Sequence, residues 1–161
     1  MALTGQEIKT TYPLPVYNYR VTILDGGNAQ VIGFSEISGL SVEYEPVSYV
    51  HGLSFALGGK IIPGKRQAIR VTMKRGIVKS NDFLQGWLSK TYTDPFYDKA
   101  KRDILIDLCD EAGKAVVRWT VKKALPLKLE VSAFDANSNE VAIETMELAA
   151  HGLTVDYQPP S

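Results

Sequence analysis

Two histidines, one cysteine and scattered acidic residues are the side chains that could support catalysis or hold a metal. His51 and His151 each precede a glycine, and neither has a cysteine or an acidic cluster at zinc-ligand spacing. Catalysis by a histidine would need a nucleophile or an orienting carboxylate beside it. Cys109 falls within a predicted strand, where a buried thiol is commoner than a reactive one. We therefore expect a protein that is not an enzyme, with no catalytic site, metal or cofactor.

Two segments come close to ligand-binding motifs without completing them. Residues 59–66 (GKIIPGKR) nearly match a phosphate-binding loop, but Arg66 stands where the magnesium-binding Ser or Thr is required. The motif also needs a following helix, and here a strand is predicted. Residues 135–139 (DANSN) begin like a calcium loop, but Glu140 and Met146 occupy positions that need Gly and Glu. We interpret the first segment as a basic glycine-rich loop and the second as a turn between strands.

The composition excludes several classes of protein. A chain of 161 residues suits one domain, and its 45% hydrophobic and 22% charged residues are ordinary for a globular protein. Eighteen Lys and Arg balance eighteen Asp and Glu, whereas a nucleic-acid binder normally carries a basic surplus. No apolar run approaches the roughly 18 residues of a membrane span, and no secretory signal is present. We expect cytoplasmic synthesis and assembly, without membrane insertion of the subunit.

Alternation of apolar and polar residues predicts a mainly β fold. The predicted strands cover residues 16–24, 31–34, 40–49, 67–74, 102–110, 115–122, 127–132 and 140–148. In the first of them, Tyr19, Val21 and Ile23 share one face. Pro46 interrupts the third strand and predicts a bend, a bulge or an edge position there. Residues 51–66 are rich in glycine and are predicted to form a long loop.

One helix is predicted, beginning after a capping residue among positions 80–82 and ending near residues 92–94. Its apolar stripe consists of Phe83, Leu84, Trp87 and Leu88. The elements together predict a β-sandwich or partial barrel with one flanking α-helix. The predicted organisation is a flexible N-terminal arm (residues 1–15), a single β domain (residues 16–157) and a short tail (residues 158–161).

Several segments of the chain resemble the tail-tube proteins of contractile phages and contractile injection systems. They are residues 12–21 (YPLPVYNYRV), 33–40 (GFSEISGL), 71–76 (VTMKRG), 102–108 (RDILIDL), 117–121 (VRWTV), 124–128 (ALPLK), 139–148 (NEVAIETMEL) and 150–153 (AHGL). The matches run in order across nearly the whole chain. Two departures are Leu125, where the family commonly has Trp, and residues 91–101, which fit the pattern poorly.

The resemblance implies a structural role in a large assembly. Tail-tube subunits form hexameric rings whose strands join into a continuous inner β-barrel, and the rings stack into a hollow tube. A contractile sheath surrounds the tube, which rests on baseplate and spike proteins. Sheath contraction drives the tube through a target envelope, and protein cargo or DNA can pass along the lumen. The mature particle is a phage tail or an injection particle, which can be extracellular.

Two sets of residues are candidates for assembly surfaces. Polar side chains opposite the apolar strand faces are candidates to line the lumen, and the alternative is that they form the outer solvated surface: Arg20, Thr22, Arg70, Thr72 and Lys74. The 51–66 loop and the N-terminal arm are predicted to contact the next ring, because so many apolar loop residues would be unusual on a monomer. The apolar residues of that loop are Leu53, Phe55, Leu57, Ile61 and Ile62.

Two other functions remain open at this stage. The first is a same-fold adaptor between tube and baseplate, or a stand-alone cargo-carrying ring, which would assemble into only one or two rings. The second is a carbohydrate-binding β-sandwich, in which Tyr92, Phe96 and Tyr97 stack on sugars. Assembly length tests the first alternative, and glycan binding by the monomer tests the second.

Overall fold

The structure, a computed structural model, describes residues 13–93 and 100–159. Most of the predicted N-terminal arm (residues 1–12) and the last two residues of the tail lie outside the described residues. So do residues 94–99, which include Phe96 and Tyr97, and so does the side chain of Phe55.

The described residues form ten strands and two helices. The strands are β1 (Tyr19–Asp25), β2 (Asn28–Ile32), β3 (Glu36–Ser38), β4 (Tyr44–Tyr49), β5 (Lys60–Arg66), β6 (Ile69–Gly76), β7 (Arg102–Cys109), β8 (Ala115–Val131), β9 (Ile143–Ala150) and β10 (Gly152–Asp156). The helices are a single turn, α1 (Ser54–Leu57), and an 11-residue helix, α2 (Phe83–Thr93). The predicted mainly β fold with one flanking helix is confirmed.

Eight strands form one antiparallel sheet in the order β2-β1-β7-β8-β9-β6-β3, with β10 paired to β8. The 17-residue β8 divides this sheet in two. Its first part pairs with β7 and β10, and together with β1 and β2 these strands form sheet A. Its second part, residues 125–131, pairs with β9, and with β6 and β3 they form sheet B. Lys123 has a φ of 51° where β8 passes from one sheet to the other.

The hydrophobic core lies between the inward faces of the two sheets. Alternate residues of β1, β6, β7 and β9 supply it, as the period-two pattern predicts. The completely buried members include Val21, Ile23, Val71, Met73, Ile104, Val121, Met146 and Leu148. Since strands of both sheets contribute to one cluster, the polar faces of sheets A and B point away from each other.

Helix α2 covers the core with its predicted apolar stripe. Leu84 and Trp87 are buried, and Phe83 and Leu88 pack against the core from its border. The Trp87 indole N–H donates to the Ala100 carbonyl at 2.6 Å, which satisfies its one buried polar group. The helix is therefore fixed to the sheet by packing and by a hydrogen bond to the chain that follows it.

The predictions for three parts of the chain differ most from the structure. The strand predicted at 40–49 begins only at Tyr44, although the irregularity expected from Pro46 is confirmed by a register shift between Tyr44 and Pro46. The loop predicted at 51–66 ends in a strand, β5, which pairs with β4. The strands predicted at 115–122 and 127–132 are one continuous strand, because the bend at Lys123 interrupts the alternation without ending the pairing. Strands β3 and β10 have no counterpart in the prediction.

Candidate functional site: the hairpin, the loop at the opposite end and the two outward faces

Strands β4 and β5 form a two-stranded hairpin that projects from the sheet. No strand outside the pair hydrogen-bonds to it among the described residues. Both of its faces are exposed along nearly the whole of residues 44–66. Its exposed apolar side chains are Tyr44, Val47, Tyr49, Val50, Leu53, Leu57, Ile61 and Ile62. Leu57 and Ile61 are 76% and 79% exposed, so the free chain covers almost none of their apolar surface.

The base of the hairpin is held firmly although its tip is uncovered. The Gln67 N–H donates to the Glu43 carbonyl at 2.7 Å, and this hydrogen bond joins the two segments that flank the hairpin at its base. The Arg66 guanidinium donates to the His151 carbonyl, which ties β5 to the junction of β9 and β10. At Gly64 an added Cβ would lie 2.4 Å from the Glu45 carbonyl oxygen, so the two strands approach as closely as glycine allows.

The outward face of sheet A carries a row of alternating charges. The register places Arg20, Asp107 and Arg118 side by side on β1, β7 and β8, with Asp156 next on β10. Asp107 accepts from Arg118 at 2.6 and 2.9 Å and from Arg20 at 3.3 Å. The Asp107 side chain is 1% exposed, because both guanidinium groups cover it. Thr22 lies on the same face, two residues along β1 from Arg20.

The electrostatics of this row favour the charged forms of Asp107 and Arg118. Burial raises the pKa of the Asp107 carboxyl, but the hydrogen bonds and charge of Arg118, and then of Arg20, outweigh it and hold that pKa below its usual range. The hydrogen bond to Asp107 raises the pKa of Arg118 despite partial burial. The row is thus a paired structural network, in which Asp107 has no proton to give at neutral pH.

The outward face of sheet B is polar and exposed. Arg70, Thr72 and Lys74 alternate along β6 with the buried core residues of the same strand. Lys74 pairs with Glu36 on β3 at 3.2 Å, and Lys128 pairs with Glu130 on β8 at 3.1 Å. Hydrogen bonding to Glu130 raises the pKa of Lys128. Ion pairs this exposed contribute little to stability. The face is solvated and carries charges of both signs.

The five residues predicted to line a lumen do not form one surface. Arg20 and Thr22 lie on the outward face of sheet A, whereas Arg70, Thr72 and Lys74 lie on that of sheet B. The sheets pack through their opposite faces, so these two sets look away from each other across the core. A single central channel can therefore meet only one of them.

At the end of sheet B opposite the hairpin lies the β8–β9 connection, residues 132–142, which we call the receiving loop. Phe134 and Val141 are 85% and 72% exposed there. Residues of the loop surround a depression of about 650 Å³. The turn predicted at 135–139 is confirmed, since the Asn137 N–H donates to the Asp135 carboxylate at 3.0 Å. Sequence reasoning did not single out Phe134, although an aromatic residue beside a polar turn was a usable signal.

Two further buried charged residues, Arg75 and Arg102, were also missed. Arg75 pairs with Glu144 and donates to the Asn81 carbonyl at 3.0 Å, just before α2. Arg102 is 6% exposed, pairs with Asp25 at 3.0 Å, and stacks its guanidinium over α2 aromatic rings. It lies 5.0 and 5.1 Å from the ring centroids of Phe83 and Trp87. Burial lowers the pKa of Arg102 and the charge of Asp25 opposes that shift.

The residues that the sequence analysis considered for catalysis or ligand binding are buried or make hydrogen bonds within the chain. Cys109 is buried, as predicted, with its Sγ 3.6 Å from the Asp107 carbonyl. The His51 Nδ1 accepts from the Leu53 N–H at 3.2 Å within the hairpin tip. Tyr92, the described member of the proposed sugar-binding trio, donates its hydroxyl to the Pro126 carbonyl. In the parts of the chain that the structure describes, no three His, Cys, Asp or Glu residues are grouped to hold a metal, and no helix is long and apolar enough to cross a membrane.

The family of T4-like virus tail tube protein gp19 matches residues 15–154 of this chain. No curated protein matches it. Among solved structures, a chain of the PVC sheath-tube complex in the extended state, from an extracellular contractile injection system, is 27% identical with a TM-score of 0.84. That similarity covers 97% of this chain and 99% of the other.

Two further structures are similar over most of both chains. A chain of the anti-feeding prophage cap, described as the tube terminating cap, is 31% identical, covering 98% of this chain and 99% of its own length with a TM-score of 0.81. A chain of the PVC sheath/tube terminator in the extended state is 29% identical, with 90% and 97% coverage and a TM-score of 0.79.

Proposed function

Because the chain belongs to the T4-like virus tail tube protein family, we propose that it is an inner-tube subunit of a contractile injection system. In this role it is structural and non-catalytic, and it forms hexameric rings that stack into a hollow tube. The observation that carries the proposal is the end-to-end similarity to a chain of the PVC sheath-tube complex, with a TM-score of 0.84. The partners are further copies of the chain, a surrounding sheath, and baseplate and spike proteins. The tube acts in a phage tail or an extracellular particle.

The two free edges of sheet B support ring formation. Strand β3 pairs only with β6, and residues 125–131 of β8 pair only with β9 within the described chain. Such edges offer unpaired N–H and C=O groups that invite another strand. Pairing the β8 edge of one copy with the β3 edge of the next is a heterologous contact, which closes into a ring.

The same geometry selects the residues that face the channel. If the sheets B of six copies form one barrel, we place sheet A and α2 outside it, because the face of sheet B toward them is already covered by the core and cannot line an open channel. The outward face of sheet B then lines the lumen with Arg70, Thr72 and Lys74, and admits protein cargo or DNA. Arg20 and Thr22 of sheet A face outward, toward the sheath. A reconstruction that places Arg70 and Lys74 on the outer surface overturns this assignment.

The hairpin tip is the proposed contact between rings. Its apolar residues Leu53, Leu57, Ile61 and Ile62 are exposed on the free chain, a pattern that marks an interaction surface. Phe55 and the N-terminal arm are assigned to the same contact on sequence alone. The side chain of Phe55 and residues 1–12 of the arm lie outside the part of the chain that the structure describes.

Electron microscopy of the purified protein across a concentration series tests the proposal. We expect hollow six-fold rings and tubes from the unmodified chain. Deleting residues 52–62 should leave rings or monomers without tubes, and the matched control is Val31→Ser, an exposed apolar residue on sheet A. Normal tubes from the deletion variant contradict the proposed ring contact. A chain that forms neither rings nor tubes, even with baseplate proteins present, contradicts the proposed function.

A specific observation favours a second candidate, an adaptor or terminator of the same fold. The identity to chains of the tube terminating cap and the sheath/tube terminator, 31% and 29%, is as high as the 27% to a chain of the sheath-tube complex. An adaptor stops after one or two rings, whereas a main subunit continues. The length distribution in the same micrographs therefore separates the two roles.

A further inference from the structure

Resting on the proposed stacking of rings, we propose that the receiving loop (residues 132–142) is the surface on which the hairpin tip of the next ring docks. The occupant is a second copy of this chain. The contact joins two different surfaces of the subunit, one at each end of sheet B.

The register places the two surfaces at opposite ends of the same strands. Strand β6 begins beside the hairpin, where Ile69 pairs with Ala150, and ends where Gly76 pairs with Ile143. The receiving loop leaves the sheet at this second end, since the Ile77 N–H donates to the Ala142 carbonyl at 2.9 Å. Seven residues of strand separate the two ends by about 23 Å. A copy displaced along the strands therefore brings its hairpin end toward the receiving loop of its neighbour.

Both surfaces expose apolar side chains that the free chain does not cover. The receiving end carries Val78, Phe134 and Val141, at 63%, 85% and 72% exposure. Its depression of about 650 Å³ is large enough to take several aliphatic side chains from the hairpin tip. Covering such groups removes apolar area from water at roughly 25 cal/mol per Å². Each end thus offers apolar surface that can cover the exposed apolar side chains of the other.

The charges of the two surfaces are complementary. Within residues 44–66 the basic residues are Lys60, beside the tip, and Lys65 and Arg66, at the base, against a single acid, Glu45. Residues 132–142 contain Asp135 and Glu140 and no basic residue. The chain as a whole has a formal net charge of zero, so this separation is a local property of the two ends. Opposite potentials favour hairpin against receiving loop and disfavour either surface against itself.

Docking of this kind gives the tube a direction. A heterologous contact between opposite ends does not close under translation, so it generates an open filament. Every subunit then points the same way, with basic hairpins toward one end of the tube and acidic loops toward the other. Two rings cannot associate through like ends without meeting like charges.

Cross-linking tests the contact directly in assembled protein. Leu57→Cys and Phe134→Cys subunits are mixed, assembled and oxidised, and a disulfide-linked heterodimer is expected. The matched control mixes Leu57→Cys with Val31→Cys, which should give no heterodimer. The native Cys109 is buried at 4% exposure and contributes no band. Tubes that form from the first mixture without the cross-link overturn the proposal.

Charge exchange tests the complementarity. Glu140→Lys should shorten tubes by about tenfold at low salt, and Lys60→Glu in the same chain should restore their length. Glu140 is used rather than Asp135 because the Asp135 carboxylate caps its turn. Failure of the second substitution to restore length overturns the pairing of these surfaces, while rings and tubes of the unmodified chain still stand as evidence for the proposed function. If the unmodified chain forms neither, the proposed function fails, and the docking proposal fails with it.

Discussion

The core beneath α2 and the β4–β5 hairpin differ in how far their apolar side chains are exposed to solvent. Around Trp87, side chains from both sheets are buried and even the charged Arg102 is stacked and paired. In the hairpin, Leu57 and Ile61 are more than three-quarters exposed. The first region obtains its stability from within the chain, whereas the second is left uncovered by the chain and is the contact we propose for another copy. If that proposal holds, stability and assembly depend on different residues and can be changed separately.

The largest expected loss of stability comes from Trp87→Ala. The substitution leaves a cavity under α2, removes the hydrogen bond to Ala100 and takes one of the two rings from Arg102. We expect the free energy of unfolding to fall by about 3–5 kcal/mol. Urea unfolding followed by circular dichroism measures it, with Tyr92→Phe as a milder control on the same helix. A midpoint equal to that of the unmodified protein contradicts the importance assigned to this core.

The second largest loss of stability is expected from Asp107→Asn, because this substitution leaves two guanidinium groups facing each other without a carboxylate. The expected loss is about 2–4 kcal/mol, reduced from the value for a fully buried pair since Arg20 and Arg118 keep some contact with water. Glu36→Gln breaks the exposed pair with Lys74 and should cost less than about 1 kcal/mol. Equal losses from the two variants would show that burial of Asp107 adds nothing.

Acid should remove the contribution of Asp107 selectively. Its pKa is lower in the folded protein than in the unfolded chain, where it is about 3.9. The stabilisation is therefore complete above that value and is lost as the pH falls through the folded pKa. The difference in unfolding free energy between the native chain and Asp107→Asn should be constant from pH 7 to about 5 and shrink below about 4. A difference that stays constant to pH 2 contradicts this pKa direction.

The smallest change in stability is expected in the hairpin. Leu57→Ser combined with Ile61→Ser should alter the unfolding free energy of the monomer by no more than about 0.5 kcal/mol, because both side chains are already in water. Tubes should nevertheless be absent from micrographs of this variant. A large loss of monomer stability would mean that the hairpin packs on its own subunit, and would remove the contrast between the two regions.

The core could be predicted from the sequence because buried strands have a strong period of two. In the strand predicted at residues 67–74, the alternation puts Ile69, Val71 and Met73 on one face, and all three are buried. The same phase extended by two residues reaches Arg75, so its burial could have been inferred. Asp107 could not, since it lies in the polar phase of β7 and is covered only by arginines from β1 and β8. Such burial depends on the register between strands far apart in the chain.

The hairpin was harder to predict because neither of its faces is buried. Alternation of hydrophobicity arises when one face meets a core, and β5 has no such face. The prolines obscure the strands as well, although Pro46 and Pro63 lie opposite each other in the register. The apolar content of the segment predicts a contact surface, and the described apolar side chains are exposed on the chain. The receiving loop that we propose for it could not be inferred from the sequence, because only the strand register places residues 132–142 at the other end of sheet B.

Strand β8 has a mechanical consequence that follows from its length. Because one unbroken backbone of 17 residues belongs to both sheets, neither sheet can peel away without disturbing the other. The molecule should unfold as a single cooperative unit, and its β8 amides should be among the slowest to exchange with solvent. A force applied to either end of the subunit is transmitted through its centre by covalent bonds of β8. The subunits of the proposed tube need this property if the tube is to be stiff.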